Sequence, residues 1–370
     1  MRLALRELVR RPGRFVTATG ILTLIAILLM FLGGLLDGLI RTSTGAVRAQ
    51  DVDAIVFSES SQASFLRSRI EPATRAEIDR LEVVSETGGL GVVQLGARVP
   101  GNGPRDLANV AVWGYELAPI GVPDPPAAGE AWADEILKSD NVEIGDQLLV
   151  GPARTPITVV GWVENTSYNG QSGLWTSVDT WRSVLTANRP DAALADGVFQ
   201  AIVVRGTGGD SATMIAAIET TSGDGVIALT VQDAINEIPG VTEQQTTFNQ
   251  ILGVTVVIAL VVIALFFALL TVERSALYGM LKAIGARSRT IFAGLVAQAV
   301  VVTLIAAIIA GLAVIALDLL IPPGSIPLYI SASRIITSIV LLLFAAVVGC
   351  AFSLRRVLGV DPASALGSSQ

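Results

Sequence analysis

Four long apolar stretches decide what this chain can fold into. They cover residues 15–36, 248–272, 291–321 and 335–354, and each carries at most one charged side chain. The hydrocarbon layer of a bilayer is about 30 Å thick, which a helix of roughly 20 apolar residues crosses. We therefore predict four transmembrane helices, spans 1 to 4, and a mean hydropathy of +0.63 fits a membrane protein.

Positive charge is concentrated in segments on one side of these spans. Eleven basic residues precede span 1, lie between spans 2 and 3 or follow span 4, against Glu7, Glu273 and Asp361 alone. Residues 41–243 hold 13 basic and 27 acidic residues instead. Because cytoplasmic segments carry the excess of Lys and Arg, we expect both termini inside the cell and the large acidic segment outside. Span 1 exceeds the apolar core of a signal peptide, about 7–15 residues, so we expect it to stay uncleaved in the plasma membrane.

The segment between spans 1 and 2 has the composition of a folded domain. Residues 54–58, 91–99, 109–115, 147–151 and 157–163 are typical of strands. Residues 72–84 and 211–221 repeat apolar side chains at helical spacing. The long polar loops 123–131 and 164–173 are either contact surfaces or simply solvated. The fold class is therefore a membrane α-helical protein of four transmembrane helices, with an extracytoplasmic α+β domain inserted between spans 1 and 2.

The predicted organisation is as follows. A basic amphipathic segment, 1–14, forms a cytoplasmic interfacial helix or is only a basic flank, and Pro12 and Gly13 turn the chain into the membrane. Then come span 1 (15–40), the extracytoplasmic domain (41–245), span 2 (246–272), a cytoplasmic coupling segment (273–290), span 3 (291–321), a short outer loop (322–333), span 4 (334–354) and a cytoplasmic tail (355–370).

Several kinds of chemistry are excluded by residues that the chain lacks. It has no histidine, so histidine-based catalysis and histidine-ligated metal sites are impossible, and its single cysteine, Cys350, excludes an intrachain disulfide. It also lacks the G-x(4)-G-K-[ST] motif that cradles nucleotide phosphates. We expect a non-catalytic membrane subunit without a bound cofactor or resident metal, and ATP hydrolysis by another polypeptide.

The stretch ERSALYGMLKAIGAR, residues 273–287, is the most specific motif in the chain. Together with VEIGDQLLVGPARTPITVVGWV (142–163), the ending RRVLGVDPASAL (355–366) and the order of the spans, it resembles the FtsX/MacB-type (type VII) permeases of ABC transporters. The resemblance covers the whole chain and implies a MacB-like periplasmic core for the outer domain. In layout the chain resembles the HrtB-like haem-exporter permeases of Gram-positive bacteria more than the tripartite drug pumps.

In that family the segment after span 2 rests on a cytoplasmic ATPase. The resemblance therefore implies that coupling depends on Glu273, Arg274, Tyr278, Gly279, Leu281, Lys282, Gly285 and Ala286. The alternative is that the basic residues of this segment only fix the topology. Under the coupling hypothesis, Leu281→Asp or Gly285→Trp abolishes coupling and leaves the protein in the membrane.

The family also implies a complex of two permeases with two ATPase subunits, which bind ATP and Mg. Gly34 and Gly38 form a G-x-x-x-G motif in span 1, with Gly33 beside them, and such glycines permit close helix approach. They serve either a contact between two permeases or packing within one chain.

The candidate substrate-binding residues are Met30, Phe31, Gly34, Asp37 and Phe248. An ionisable residue within a span is a functional hypothesis by default, although Asp37 equally fits a position at the outer headgroups. The haem exporters that the chain resembles take substrate from the membrane between spans 1 and 2. Without histidine, the candidate ligands for haem iron are Met30 and Asp37, or a tyrosine. Met30 and the two phenylalanines otherwise only pack.

Three functions are compatible with these features. The first is export of haem, or of a lipid, drug or peptide; the second is an FtsX-like mechanotransmission subunit that regulates an extracytoplasmic cell-wall hydrolase. The third, a membrane-anchored sensor, is disfavoured by the coupling motif. Asp37 favours transport, because regulating a hydrolase needs no polar group in a span.

Overall fold

A computed structural model describes residues 12–103, 105–273, 280, 284, 287–321 and 326–358. The chain divides into a helical unit, formed by Met1–Gly38, Thr246–Ile321 and Leu328–Gln370, and a sheet unit, formed by Leu39–Gln245 and Pro322–Pro327. The predicted outer domain, 41–245, therefore corresponds closely to the sheet unit.

The helical unit contains four helices that are long and apolar enough to cross a membrane. They are α1 (Pro12–Arg48), α6 (Val241–Glu273), α7 (Ser288–Leu320) and α8 (Ala332–Leu358). Only helices and closed barrels satisfy every backbone hydrogen bond in lipid, so stretches of this composition form continuous helices. The four spans predicted from the sequence are confirmed.

Helix α1 is longer than predicted at its domain end. It continues past residue 40 to Arg48, where the Thr44 hydroxyl donates to the Ile40 carbonyl. Its described part begins at Pro12. Helix α6 also begins early, at Val241. The predicted interfacial helix 1–14 lies almost wholly outside the described residues.

Among the residues described, the sheet unit contains nine strands and four short α-helices. The strands are β1 (Ala54–Ser58), β2 (Val84–Arg98), β3 (Leu107–Tyr115), β4 (Glu130–Asp134), β5 (Gln147–Val150), β6 (Thr155–Val163), β7 (Ser172–Thr176), β8 (Ala201–Gly206) and β9 (Val226–Leu229). The helices are α2 (Pro72–Ile78), α3 (Val178–Asn188), α4 (Ser211–Ser222) and α5 (Val231–Asn236). All five predicted strands are confirmed, and so is the helix predicted at 211–221.

The helix predicted over 72–84 was too long. Helix α2 ends at Ile78, and Val84 already begins strand β2. The apolar side chains Ile78, Leu81 and Val84 still reach the same core, but Leu81 does so from a turn. A helical spacing of apolar residues is equally compatible with a turn that leads into a strand.

The strands form one sheet in the order β3-β7-β4-β6-β5-β2-β8-β1-β9, and β3 also pairs with β2. The pairing of β3 with β2 closes six strands into a ring, namely β3, β7, β4, β6, β5 and β2. Strands β8, β1 and β9 continue the sheet from the long strand β2. The pairs β3–β7 and β4–β6 are parallel and the others antiparallel. Closure of the ring leaves fewer unpaired strand edges, the usual starting points of aggregation.

The loop 164–171 is built into the sheet unit and is not a free contact surface. The buried carboxylate of Asp134, at the end of β4, accepts hydrogen bonds from the Thr166 amide at 2.7 Å and the Thr166 hydroxyl at 2.9 Å. Burial raises the pKa of Tyr168 to about 12, so its ring stays neutral among the aromatic side chains that it contacts. Residues 166–168 of this loop are therefore buried and not simply solvated, whereas residues 164, 165, 169 and 170 are exposed.

The same loop is bound to the last turns of α1. The Ala46 amide donates to the Ser167 carbonyl at 3.0 Å, and Gly45 faces the backbone of Asn165. A Cβ atom at Gly45 would lie 2.5 Å from the Asn165 carbonyl oxygen, which real Cβ atoms essentially never approach so closely. Only glycine fits here without moving the loop.

Gly45→Ala should therefore destabilise the protein, although alanine is the better helix former. We expect a cost of about 1–3 kcal/mol from the steric conflict. The matched control is Gly20→Ala in the same helix, where an added Cβ meets nothing within 4 Å. Thermal unfolding of the full chain in detergent should show a lower midpoint for Gly45→Ala than for Gly20→Ala, and equal midpoints would contradict the close contact.

Candidate functional site

The predicted intramembrane acid, Asp37, is paired with Arg334. Nε of Arg334 donates to Oδ2 of Asp37 at 2.9 Å, and Nη2 donates to Oδ1, which makes the pair bidentate. Asp37 lies near the end of the apolar part of α1, and Arg334 lies in the first turn of α8. The side chains of Asp37 and Arg334 are 23% and 22% exposed. Each charge has therefore lost most of its exposure, and the opposite charge of its partner compensates for that loss.

Two glycines of α1 make room for this contact. A Cβ at Gly33 would lie 2.6 Å from Cδ of Arg334, and one at Gly34 would lie 2.3 Å from Cδ1 of Ile330. The Tyr329 amide also donates to the Gly34 carbonyl at 3.1 Å. Of the two roles predicted for these glycines, packing within one chain is the one that the structure shows for Gly33 and Gly34.

The apolar candidates around Asp37 are placed differently from one another. Met30 is fully buried, at 0% exposure, whereas Phe31 and Phe248 are half-buried. Asp37 is engaged by Arg334, so neither Met30 nor Asp37 presents a free ligand atom in this arrangement. Among the described residues, no three acidic or cysteine side chains cluster as a metal site would require.

The predicted coupling segment is described only in part. Glu273 is the last residue of α6, while Arg274, Tyr278, Gly279, Leu281, Lys282, Gly285 and Ala286 lie outside the described residues. Two residues of the segment that are described, Met280 and Ile284, were not among the predicted ones. The Ile284 amide donates to the Met280 carbonyl at 3.1 Å, as in one turn of α-helix, and the two residues are 62% and 78% exposed.

Sequence reasoning missed Arg334, Met280 and Ile284. The charges counted for the topology lie in the cytoplasmic basic segments and in residues 41–243, and Arg334 lies in neither. It is the one basic residue at the predicted outer start of span 4. Asp37 is an acid at the predicted outer end of span 1. Charge complementarity between those two ends was the available signal. For Met280 and Ile284 the signal was their four-residue spacing within the basic segment.

Residues 249–362 match the family described as FtsX-like permease C-terminal. The chain is 21% identical over 370 residues to a putative hemin transport system permease protein, HrtB, of Staphylococcus epidermidis, and the match covers 100% of both chains. It is 28% identical over 374 residues to an uncharacterised ABC transporter permease of Mycobacterium tuberculosis, with 98% of each chain covered.

Among solved structures, the periplasmic region of MacB from Actinobacillus actinomycetemcomitans is 11% identical and matches with a TM-score of 0.35, over 52% of this chain and 96% of the other. That score is below the range that establishes a shared fold. The permease match instead spans α6, α7 and α8, and the similarity to ABC transporter permeases runs from end to end. The chain is therefore similar to the FtsX-like permeases of ABC transporters, over residues 249–362 by the family match and from end to end by its relatives.

Proposed function

We propose that the chain is the membrane subunit of an efflux pump that a separate cytoplasmic ATPase drives. Its substrate is a hydrophobic or amphipathic molecule taken from the membrane, and hemin is the best candidate. The observation that carries this proposal is the full-length similarity to a putative hemin transport permease, which includes the sheet unit as well as the spans. A shared permease domain alone would say nothing about the substrate.

The proposed orientation follows from charge. The basic segments flanking the spans lie in the cytoplasm, where the ATPase binds ATP and Mg, and the acidic sheet unit lies outside. The working complex contains two permeases and two ATPase subunits. Gly33 and Gly34 are already filled by contacts within one chain, so the contact between the two permeases uses another surface.

The proposed contact with the ATPase includes Met280 and Ile284. They are exposed apolar residues in a segment that also carries Arg287 and Arg289, and basic side chains hold such a segment at the anionic inner surface, each worth about 1 kcal/mol. An apolar pair presented on one helical turn suits a hydrophobic groove on a partner protein.

Hemin recognition in this proposal does not depend on iron ligation by the resting protomer. Met30 would have to leave its buried position, and Asp37 would have to leave Arg334, before either could reach an iron atom. Half-buried Phe31 and Phe248 offer apolar surface to a planar ring, so shape and apolar contact are the more accessible means of recognition.

Ile284→Asp should uncouple the permease from its ATPase, because a charge replaces the exposed apolar contact. We expect a loss of substrate-stimulated ATPase activity of at least tenfold in the reconstituted complex, about 1.4 kcal/mol of lost coupling. The matched control is Ile144→Asp, the same change at an exposed isoleucine of the sheet unit. Equal activity in the two variants would exclude Ile284 from the contact.

Hemin should stimulate the ATPase activity of the complex. The Soret absorption band of hemin should shift when it binds. Met30→Leu removes the thioether but keeps the volume, so we expect it to leave the Soret position and the stimulation unchanged. A changed Soret band in Met30→Leu would show that the sulfur ligates iron.

The same assay separates export from regulation of a wall hydrolase. If a panel of hemin, lipids, drugs and peptides leaves ATPase activity at its basal rate, while an extracytoplasmic hydrolase raises it, the export proposal is wrong. Stimulation by another amphipathic molecule but not by hemin would support the proposed efflux pump and show that hemin is not its substrate.

A further inference from the structure

We infer that Asp37 and Arg334 form a lock between spans 1 and 4 that holds the permease in its resting state and opens in each transport cycle. The inference rests on the proposal that an ATPase drives this chain, but not on hemin as the substrate. Asp37 and Arg334 are positioning residues in this inference, and they act through the helices that carry them.

The first observation is that Arg334 pairs with Asp37 and not with Asp318. The described parts of the four helices carry few charges, and three acids lie near the predicted outer end, Asp37 on α1, Glu243 in the first turn of α6 and Asp318 on α7. Arg334 follows Asp318 closely in sequence, yet its guanidinium pairs with Asp37, 297 residues away. Asp318 is exposed and makes no ion pair among the residues that the structure describes. The pairing therefore joins α8 to α1 and not to its neighbour in sequence.

The second observation is how α8 is held elsewhere. It packs along α7, and it approaches α6 so closely that a Cβ at Gly349 would lie 2.9 Å from the Leu260 carbonyl oxygen. Its described contacts with α1 near this end include the ion pair, the Arg334 stem on Gly33, and the Ile330 side chain and Tyr329 amide on Gly34, just before α8. The ion pair and the hydrogen bond are directional, so a small displacement of the helices breaks them.

The third observation is the setting of the charges. Both charges lie near the predicted outer ends of their helices, and each side chain is about one fifth exposed. A bidentate pair is strong while it is closed. Two charges in the middle of the spans would be costlier to separate, because an unpaired ion there has no polar surroundings.

The test measures the basal ATPase rate of the reconstituted complex without any substrate. Asp37→Asn and Arg334→Gln each remove one charge of the lock, and we expect either to raise the basal rate about 3- to 20-fold, the range that interhelical polar contacts in membranes correspond to. The exchange of both residues, Asp37→Arg with Arg334→Asp, should return the rate toward that of the unchanged protein. The matched control is Asp318→Asn, which removes an exposed acid near the same end and should leave the rate unchanged.

A second measurement prevents the lock from opening. In a Cys350→Ser background, Asp37→Cys and Arg334→Cys are bridged by a short bis-methanethiosulfonate reagent, because an aspartate–arginine pair spans more than a disulfide. We expect the bridge to lower the basal ATPase rate, measured without substrate, and a reducing agent to restore it. The control bridge joins Glu86→Cys and Arg205→Cys, which replace a 3.0 Å ion pair on the adjacent strands β2 and β8.

Two results would overturn the inference. One is a bridged complex that keeps its full activity, since the pair would then never need to open. The other is single variants that match Asp318→Asn, or that lose activity while unfolding at a lower temperature, since the pair would then be a fixed structural contact. A failure of hemin to stimulate the unchanged complex affects neither readout, so it would count against the substrate alone.

Discussion

Lipid cannot hydrogen-bond a polypeptide backbone, and the helical unit depends on that constraint. Each apolar stretch must satisfy its own amides and carbonyls, so it becomes a long helix whatever its individual propensities. The same solvent makes a charge expensive, so an ionisable residue within a span must be paired or serve a function. Asp37 meets the first condition through Arg334, and glycines at 33 and 34 give the arginine and its preceding segment the space to approach.

The sequence predicts the apolar layout well because length and hydropathy are local properties. The four spans and the strands follow from short windows, and so does the limit of the sheet unit. Arg334 did not follow, because no window contains both it and Asp37, and only the folded helices bring the two ends together. Helix α2 illustrates the opposite failure, since a correct apolar spacing over 72–84 continued beyond the true end of the helix at Ile78.

The roles given to the candidate site residues stay predictions, and the structure adds what each side chain contacts. Asp37 was a sound choice because an acid in a span is rare, yet its oxygens bind a guanidinium in the structure and are not free for a substrate. Met30 looked like an iron ligand from its chemistry and is a fully buried side chain. The burial of a side chain and its contacts depend on the tertiary structure. A single sequence therefore identifies the unusual residue but not the groups that it contacts.

Under the proposed function, the chain converts the closure of a separate ATPase into movement of its own helices. The proposal localises that conversion at two places. Met280 and Ile284 are exposed apolar residues between α6 and α7, while Asp37 and Arg334 join α1 to α8 by a bidentate ion pair. A bidentate ion pair suits a contact that holds at rest and yields during the cycle, because its two parallel hydrogen bonds form in one geometry and are lost after a small displacement of the helices.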